Sequence, residues 1–220
     1  MNLLRAHGVD SIYEVGLPSE ELALKMLCRS AFRQNSPPEG FEKLAIEVVQ
    51  NAGSLPLGLN VLGSYLRRRD KEYWMDMLPR LENGRLDDTI EKILRISYDG
   101  LSSDEDKALF RHIACLFNFE KVDDIKLLLA DSDLDVNIGL NNLVDKALVH
   151  VRLNIVEMHT SLQKLGKEIV YAQSKNPGKR EFLLNPDDIC HVLEDDTVSF
   201  SCPFIDDLTR LKVRCRWLLS

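Results

Sequence analysis

Several features are missing from this chain, and each absence narrows its chemistry. No run approaches the roughly 18 apolar residues that a membrane-spanning helix needs, and Met1 to Gly8 has no signal-peptide core. A soluble, intracellular chain is therefore expected. No Gly-x-x-x-x-Gly-Lys-Ser/Thr loop occurs, so nothing supplies the usual phosphate cradle or magnesium ligand. Gly178-Lys179-Arg180 is no substitute: no strand precedes it and no hydroxyl residue follows the lysine. Ser/His/Asp constellations, paired catalytic carboxylates and His-Glu-x-x-His are also missing, so self-sufficient NTP hydrolysis and other enzymatic roles are not expected. The cysteines (Cys28, Cys115, Cys190, Cys202 and Cys215) are scattered, with no Cys-x-x-Cys pair or Cys/His cluster. That spacing predicts reduced thiols and no metal site. Positive charge is not in excess either. A net charge of −7 argues against a general nucleic-acid binder and against docking on anionic membranes.

The chain does carry helical periodicity. Its 220 residues suffice for one large domain or two small ones. A short strand is read over 11–15, ended by Gly16 and Pro18. Ser19 can cap a first helix with Leu24, Leu27, Cys28 and Ala31 on one face. A second face is Phe41, Leu44, Ala45, Val48, Val49 and Ala52, stopped by Gly53. A third helix should begin near Ser54-Leu55-Pro56, where serine can cap and proline is tolerated in the first turn. A fourth presents Trp74, Met77, Leu78 and Leu81, and Asn83-Gly84 is a turn signal. Short connections favour an antiparallel four-helix bundle.

Beyond the turn, helices are predicted at about 88–100, 104–117, 122–130 and 136–147, with Ser102 and Glu105 at capping-box spacing. Alternating segments at 148–152 and 155–158, joined at Leu153-Asn154, read as a β-hairpin, and a helix follows at about 161–173. Helices followed by one hairpin form the pattern of a winged helix. The fold class expected is thus mainly α, a four-helix bundle followed by a winged-helix domain.

Three segments invite a functional reading beside a plain structural one. Gly53 to Leu59 places small residues and a rigid proline at a helix start, where an adenine or ribose could rest. At Met158-His159-Thr160 a hairpin ends and a helix begins. Thr160 and Gln163 have capping-box spacing, which sets His159 at the positive end of the helix dipole, a natural place for phosphate. The run Arg67–Arg69 is read as a solvated helix C-terminus that complements the dipole.

The order of these segments resembles the plant TIR-type nucleotide-binding, leucine-rich-repeat resistance proteins over about residues 2–196. Leu55-Pro56-Leu57-Gly58-Leu59 matches their GLPL motif, with Ser54 where many members have glycine. Leu94 to Leu101 is similar to the start of the second ARC subdomain. Phe110 to Phe117 is similar to the TIR-class motif, and Met158-His159-Thr160 occupies the place of Met-His-Asp. The resemblance implies the end of a nucleotide-binding subdomain over 1–17, a first ARC subdomain over 18–83 and a second over 84–196. The stretch 197–220 is a divergent tail. It further implies that Pro56, flanked by Leu55 and Leu57, packs on bound nucleotide. His159 then contacts the β-phosphate of ADP, and Met158 and Thr160 tune the switch between ADP-bound and ATP-bound states. Thr160 keeps no charge where the family has aspartate.

By the same resemblance the chain is expected to be a truncated product or fragment, cytoplasmic or nuclear. ADP or ATP would be its only cofactor, with no metal. Its partners would be NB-ARC or TIR domains of full-length receptors, or a second copy. A regulatory fragment that binds partners without nucleotide is one alternative. A winged helix that reads DNA is another, but Phe119 to His150 holds seven acidic residues and three lysines, which repels phosphate.

Overall fold

The structure, a computed structural model, describes residues 16–81 and 86–194. The strand read over 11–15, the Asn83-Gly84 turn and the tail from 197 lie outside those residues. The chain divides into two compact units after Gly100.

The first unit is helical. α1 (Glu20–Phe32) is capped as expected, the Ser19 hydroxyl accepting from the Leu22 N–H at 3.3 Å. Its buried stripe is Ala23, Leu27, Cys28 and Ala31, with Leu24 only half-buried. α2 (Glu42–Asn51) buries Ala45, Val48 and Val49, while Phe41 stands just before it. α3 (Pro56–Leu66) is enclosed almost all round, from Gly58 to Leu66 apart from Asn60, as suits a helix with apolar residues on every face. At Gly63 it crosses α1 closely: a Cβ there would stand 2.9 Å from the Leu27 carbonyl. α4 (Lys71–Leu81) buries Trp74, Met77 and Leu81. Trp74 stacks on Phe32 with centroids 5.1 Å apart, Phe41 meets both rings edge-on, and the indole N–H donates to the Leu66 carbonyl at 3.3 Å. Such a triad adds specific geometry to a large buried area.

α5 (Leu86–Asp99) packs on α3 and α4 through Ile93, Leu94 and Tyr98. The bundle of the first unit therefore contains this helix as well, which the turn signal at 83–84 would have assigned to the next domain.

The start of α3 departs from expectation. Ser54 does not cap; the cap position falls on Leu55, whose side chain makes no cap bond, and Pro56 takes the first helical position. Ser54 instead continues a left-handed reversal begun by Gly53, with φ of 56° and 67° respectively. A non-glycine residue in that region carries a steric cost of about 1–2 kcal/mol.

The second unit is the winged helix. α6 (Asp104–His112) is capped by Ser103, whose hydroxyl accepts from the Asp106 N–H at 3.0 Å, rather than by Ser102 paired with Glu105. A π-helical turn (Ile113–Phe117) continues it, followed by α7 (Val122–Leu128) and α8 (Val136–Asp145). The Asp135 carboxylate caps α8. Buried Asp106 accepts twice from the Asn142 side-chain amide, at 3.0 and 3.2 Å, and so ties α6 to α8.

β1 (His150–Arg152) and β2 (Ile155–Glu157) pair antiparallel, Val151 opposite Val156. Leu153 and Asn154 both have positive φ, 51° and 64°, as a two-residue type I′ hairpin turn requires. α9 (Thr160–Ala172) returns across the unit. Its Gly166 faces Ala114 of the π-helical turn so closely that a Cβ would stand 2.3 Å from the alanine methyl. A 3-10 turn (Pro177–Lys179) and α10 (Pro186–Glu194) complete the described residues.

His112 lies in this core, stacked near Phe117 and meeting the Phe182 ring edge at 4.8 Å. Its Nδ1–H donates to the Ala108 carbonyl at 2.8 Å. Burial pushes the imidazole below the ordinary histidine value, and neighbouring Arg111 acts in the same sense. The Ala108 carbonyl and Glu181 oppose the shift without cancelling it. Arg111 bridges Glu181 beside it.

Two outcomes follow from this packing. Replacing Ser54 by glycine removes the left-handed cost and is expected to raise the unfolding free energy by about 0.5–1 kcal/mol in urea titrations. A loss of stability would contradict the strain. For His112, a depressed folded-state pKa means the unfolded chain binds the proton more readily. Its contribution is therefore present above about pH 6.5 and is lost as pH falls below it. Stability measured from about pH 7.5 to 5.5 should drop, and His112→Gln should flatten that slope.

Candidate functional site

His159 is the cap residue of α9, with extended backbone at φ −61° and ψ 144°. Its Nδ1 accepts from the Ser161 N–H at 3.1 Å, and its carbonyl accepts from the Leu162 and Gln163 N–H groups. Thr160 is the first residue inside the helix, exposed, and not the cap the capping-box spacing suggested. The physical reason is one of reach: an imidazole nitrogen one residue earlier already satisfies a first-turn donor. Gln163 turns its side chain to the Met158 carbonyl at 3.2 Å.

An accepting Nδ1 leaves the neutral ring proton on Nε2. An exposed histidine thus carries an N–H donor at the positive end of a 13-residue helix that has no acidic residue in its first turn. That combination suits an anion.

Met158 is buried, 3% exposed, so its side chain serves as an anchor in the core. Its backbone is held by Asn118, which follows the π-helical turn: the Met158 N–H donates to Oδ1 at 2.7 Å, and Nδ2 donates to the Met158 carbonyl at 3.2 Å. Asn118 was not singled out by sequence. An asparagine after Phe117 is visible there, but the backbone it meets, 40 residues on, is not.

Pro56 is exposed at the start of α3, with Leu55 and Leu57 half-buried beside it. The ring offers a flat apolar surface. Met158, His159 and Thr160 share their surroundings with Asn118 and Gln163 in the second unit, whereas Leu55, Pro56 and Leu57 belong to the first. Arg67 has a structural task, its guanidinium donating to the Ser30 carbonyl at 2.8 Å and to the Ser64 hydroxyl, and Arg69 lies over the Tyr73 ring. A groove of about 400 Å³ lined by Arg80, Glu91, Lys92, Arg95 and Ile96 contains none of the predicted site residues. Among the described residues, no group of three or more His, Cys, Asp or Glu could hold a metal ion, and no helix is long and apolar enough to cross a membrane.

Comparison with known proteins gives this geometry its context. Residues 103–174 match a family described as "Disease resistance protein Roq1-like, winged-helix domain". The chain is similar to Disease resistance protein RPS6 of Arabidopsis thaliana, 62% identical over 196 residues, covering 89% of this chain and 17% of that protein. Disease resistance protein RPP5 of the same plant is 54% identical over 196 residues, 88% of this chain and 13% of the relative. Disease resistance protein TAO1, also of Arabidopsis thaliana, is 46% identical over 198 residues, 90% of this chain and 16% of the relative. The chain thus spans about a sixth of the length of the curated relatives it matches. A winged helix that fits the family's own domain and an alignment along nearly nine-tenths of the sequence agree: residues 103–174 are a winged-helix domain of the Roq1-like disease resistance type, in a chain similar to one segment of the plant disease resistance proteins.

Proposed function

We propose that this chain acts as part of a nucleotide-dependent switch in plant disease resistance signalling, without catalysis of its own. The observation that carries the reading is the cap geometry of His159, an exposed imidazole whose Nδ1 accepts from the Ser161 N–H, which leaves Nε2 as the ring's N–H donor at a helix start. In this role His159 donates to a phosphate of ADP, aided by the helix dipole. Taken by itself, the first unit offers exposed Pro56, between half-buried Leu55 and Leu57, as an apolar surface of the kind a nucleotide base rests on. Thr160 contributes no charge beside the phosphate, and buried Met158 anchors the segment.

A nucleotide can act as a switch only through different affinities for two arrangements of the protein that holds it. ADP or ATP would be the ligand. The NB-ARC and TIR domains of full-length receptors, or a second copy, would be the partners that read the change.

Calorimetry with ADP on the purified chain tests this reading. Binding is expected, and His159→Ala should weaken it about tenfold or more, the loss of one hydrogen bond to a charged group. Pro56→Ala should weaken it less. Absence of ADP binding, or binding indifferent to His159, would overturn the reading.

A further inference from the structure

We infer that Asn118 is a positioning residue for His159: its side-chain amide pins the Met158 backbone from both sides and so holds the imidazole of the next residue in its Nε2–H form at the start of α9. The purpose of that arrangement rests on the phosphate-donor reading of His159; the arrangement itself does not.

The observations lie on one short path. Phe119 N–H donates to the Val156 carbonyl at 2.8 Å and Val156 N–H donates to the Glu120 carbonyl at 2.9 Å, so residues 119–120 run as a ladder beside β2. Lys121 extends it as an isolated bridge to Ile155. Beyond Val156 the backbone ladder stops, and the Asn118 side chain takes over with one donor and one acceptor on a single planar group. Asparagine and glutamine are the side chains that offer that pair, so the amide behaves as one more peptide of a neighbouring strand.

Gln163 adds a second donor to the Met158 carbonyl, and the Met158 side chain is sunk in the core. The peptide leading into His159 is therefore fixed at its N–H, its carbonyl and its side chain. The cap bond depends on that: Nδ1 must stay near 3.1 Å from the Ser161 N–H, and a swing of the Met158 peptide would carry the ring away. Once the cap bond is lost, either ring nitrogen can hold the proton, and the outward donor is no longer defined.

The test is a histidine-selective ¹H–¹⁵N spectrum of the full 220-residue chain at a pH where the rings are neutral, with His159 assigned through His159→Gln. In the unsubstituted chain His159 should show a single Nε2–H pattern. Asn118→Ala should shift it to a mixture of tautomers, while buried His112, whose Nδ1–H donates to the Ala108 carbonyl, keeps its own pattern and reports an intact core. Asn118→Asp keeps the acceptor for the Met158 N–H but loses the donor, and should give an intermediate mixture. It also serves as the decisive variant if Asn118→Ala does not fold.

A pure Nε2–H pattern retained in the folded Ala variant, or in the Asp variant alone, would overturn the proposal. ADP affinity separates this inference from the reading on which it rests. Tautomer mixing in the Asn118 variants of a chain that binds no ADP leaves the positioning role standing and removes its purpose. ADP binding that needs His159 yet is unchanged by Asn118→Ala, with the tautomer also unchanged, removes the positioning role alone. Where both hold, Asn118→Ala should weaken ADP binding on the order of tenfold, as loss of an orienting partner does at other sites.

Discussion

In the winged-helix unit, the register of α9 against the π-helical turn is the constraint on which most else depends. Gly166 lets the helix lie directly on Ala114, and no larger side chain fits between them. The residues that flank these two elements meet as well, Asn118 after the π-helical turn holding the Met158 backbone ahead of α9. Those two ties set where α9 begins, and the beginning of α9 is where His159 offers its donor. A π-helical segment is uncommon and often marks a functional position; here it supplies the surface that the neighbouring helix reads.

The first unit handles its candidate residues differently. Pro56 owes its exposure to the reversal at Gly53 and Ser54, which brings the chain sharply into α3 while the remainder of that helix is buried. The aromatic triad of Phe32, Phe41 and Trp74 joins α1, α2 and α4, and leaves the α3 start on the surface. In both units, then, the residue of interest stands at the first turn of a helix whose body is anchored in a core. Exposed polar or flat groups on rigid elements are suited to meeting a ligand without much rearrangement.

Much of this was legible in the order of residues. The 3.6-residue period of α2 gives one helix, the alternation around Leu153-Asn154 gives two paired strands, and the Met158-His159-Thr160 junction gives a helix start, because each depends on neighbours a few positions away. Cap positions were less legible. Ser102 and Ser103 both look like caps, and only the geometry chooses Ser103; His159 displaced Thr160 because an imidazole nitrogen can cap although histidine is rarely read that way. Ser54 was misread for a similar reason, since a serine before proline suggests a cap and its positive φ leaves no trace in sequence. Asn118 was invisible because its partner is set by tertiary packing.

Photoaffinity labelling with an azido-adenosine diphosphate, followed by mapping of the modified peptide, is the sharpest test of a nucleotide site on this chain. The label is expected to be suppressed by excess ADP and weakened by His159→Ala. Labelling that excess ADP does not compete away, or that His159→Ala leaves unchanged, would contradict the phosphate-donor reading of His159.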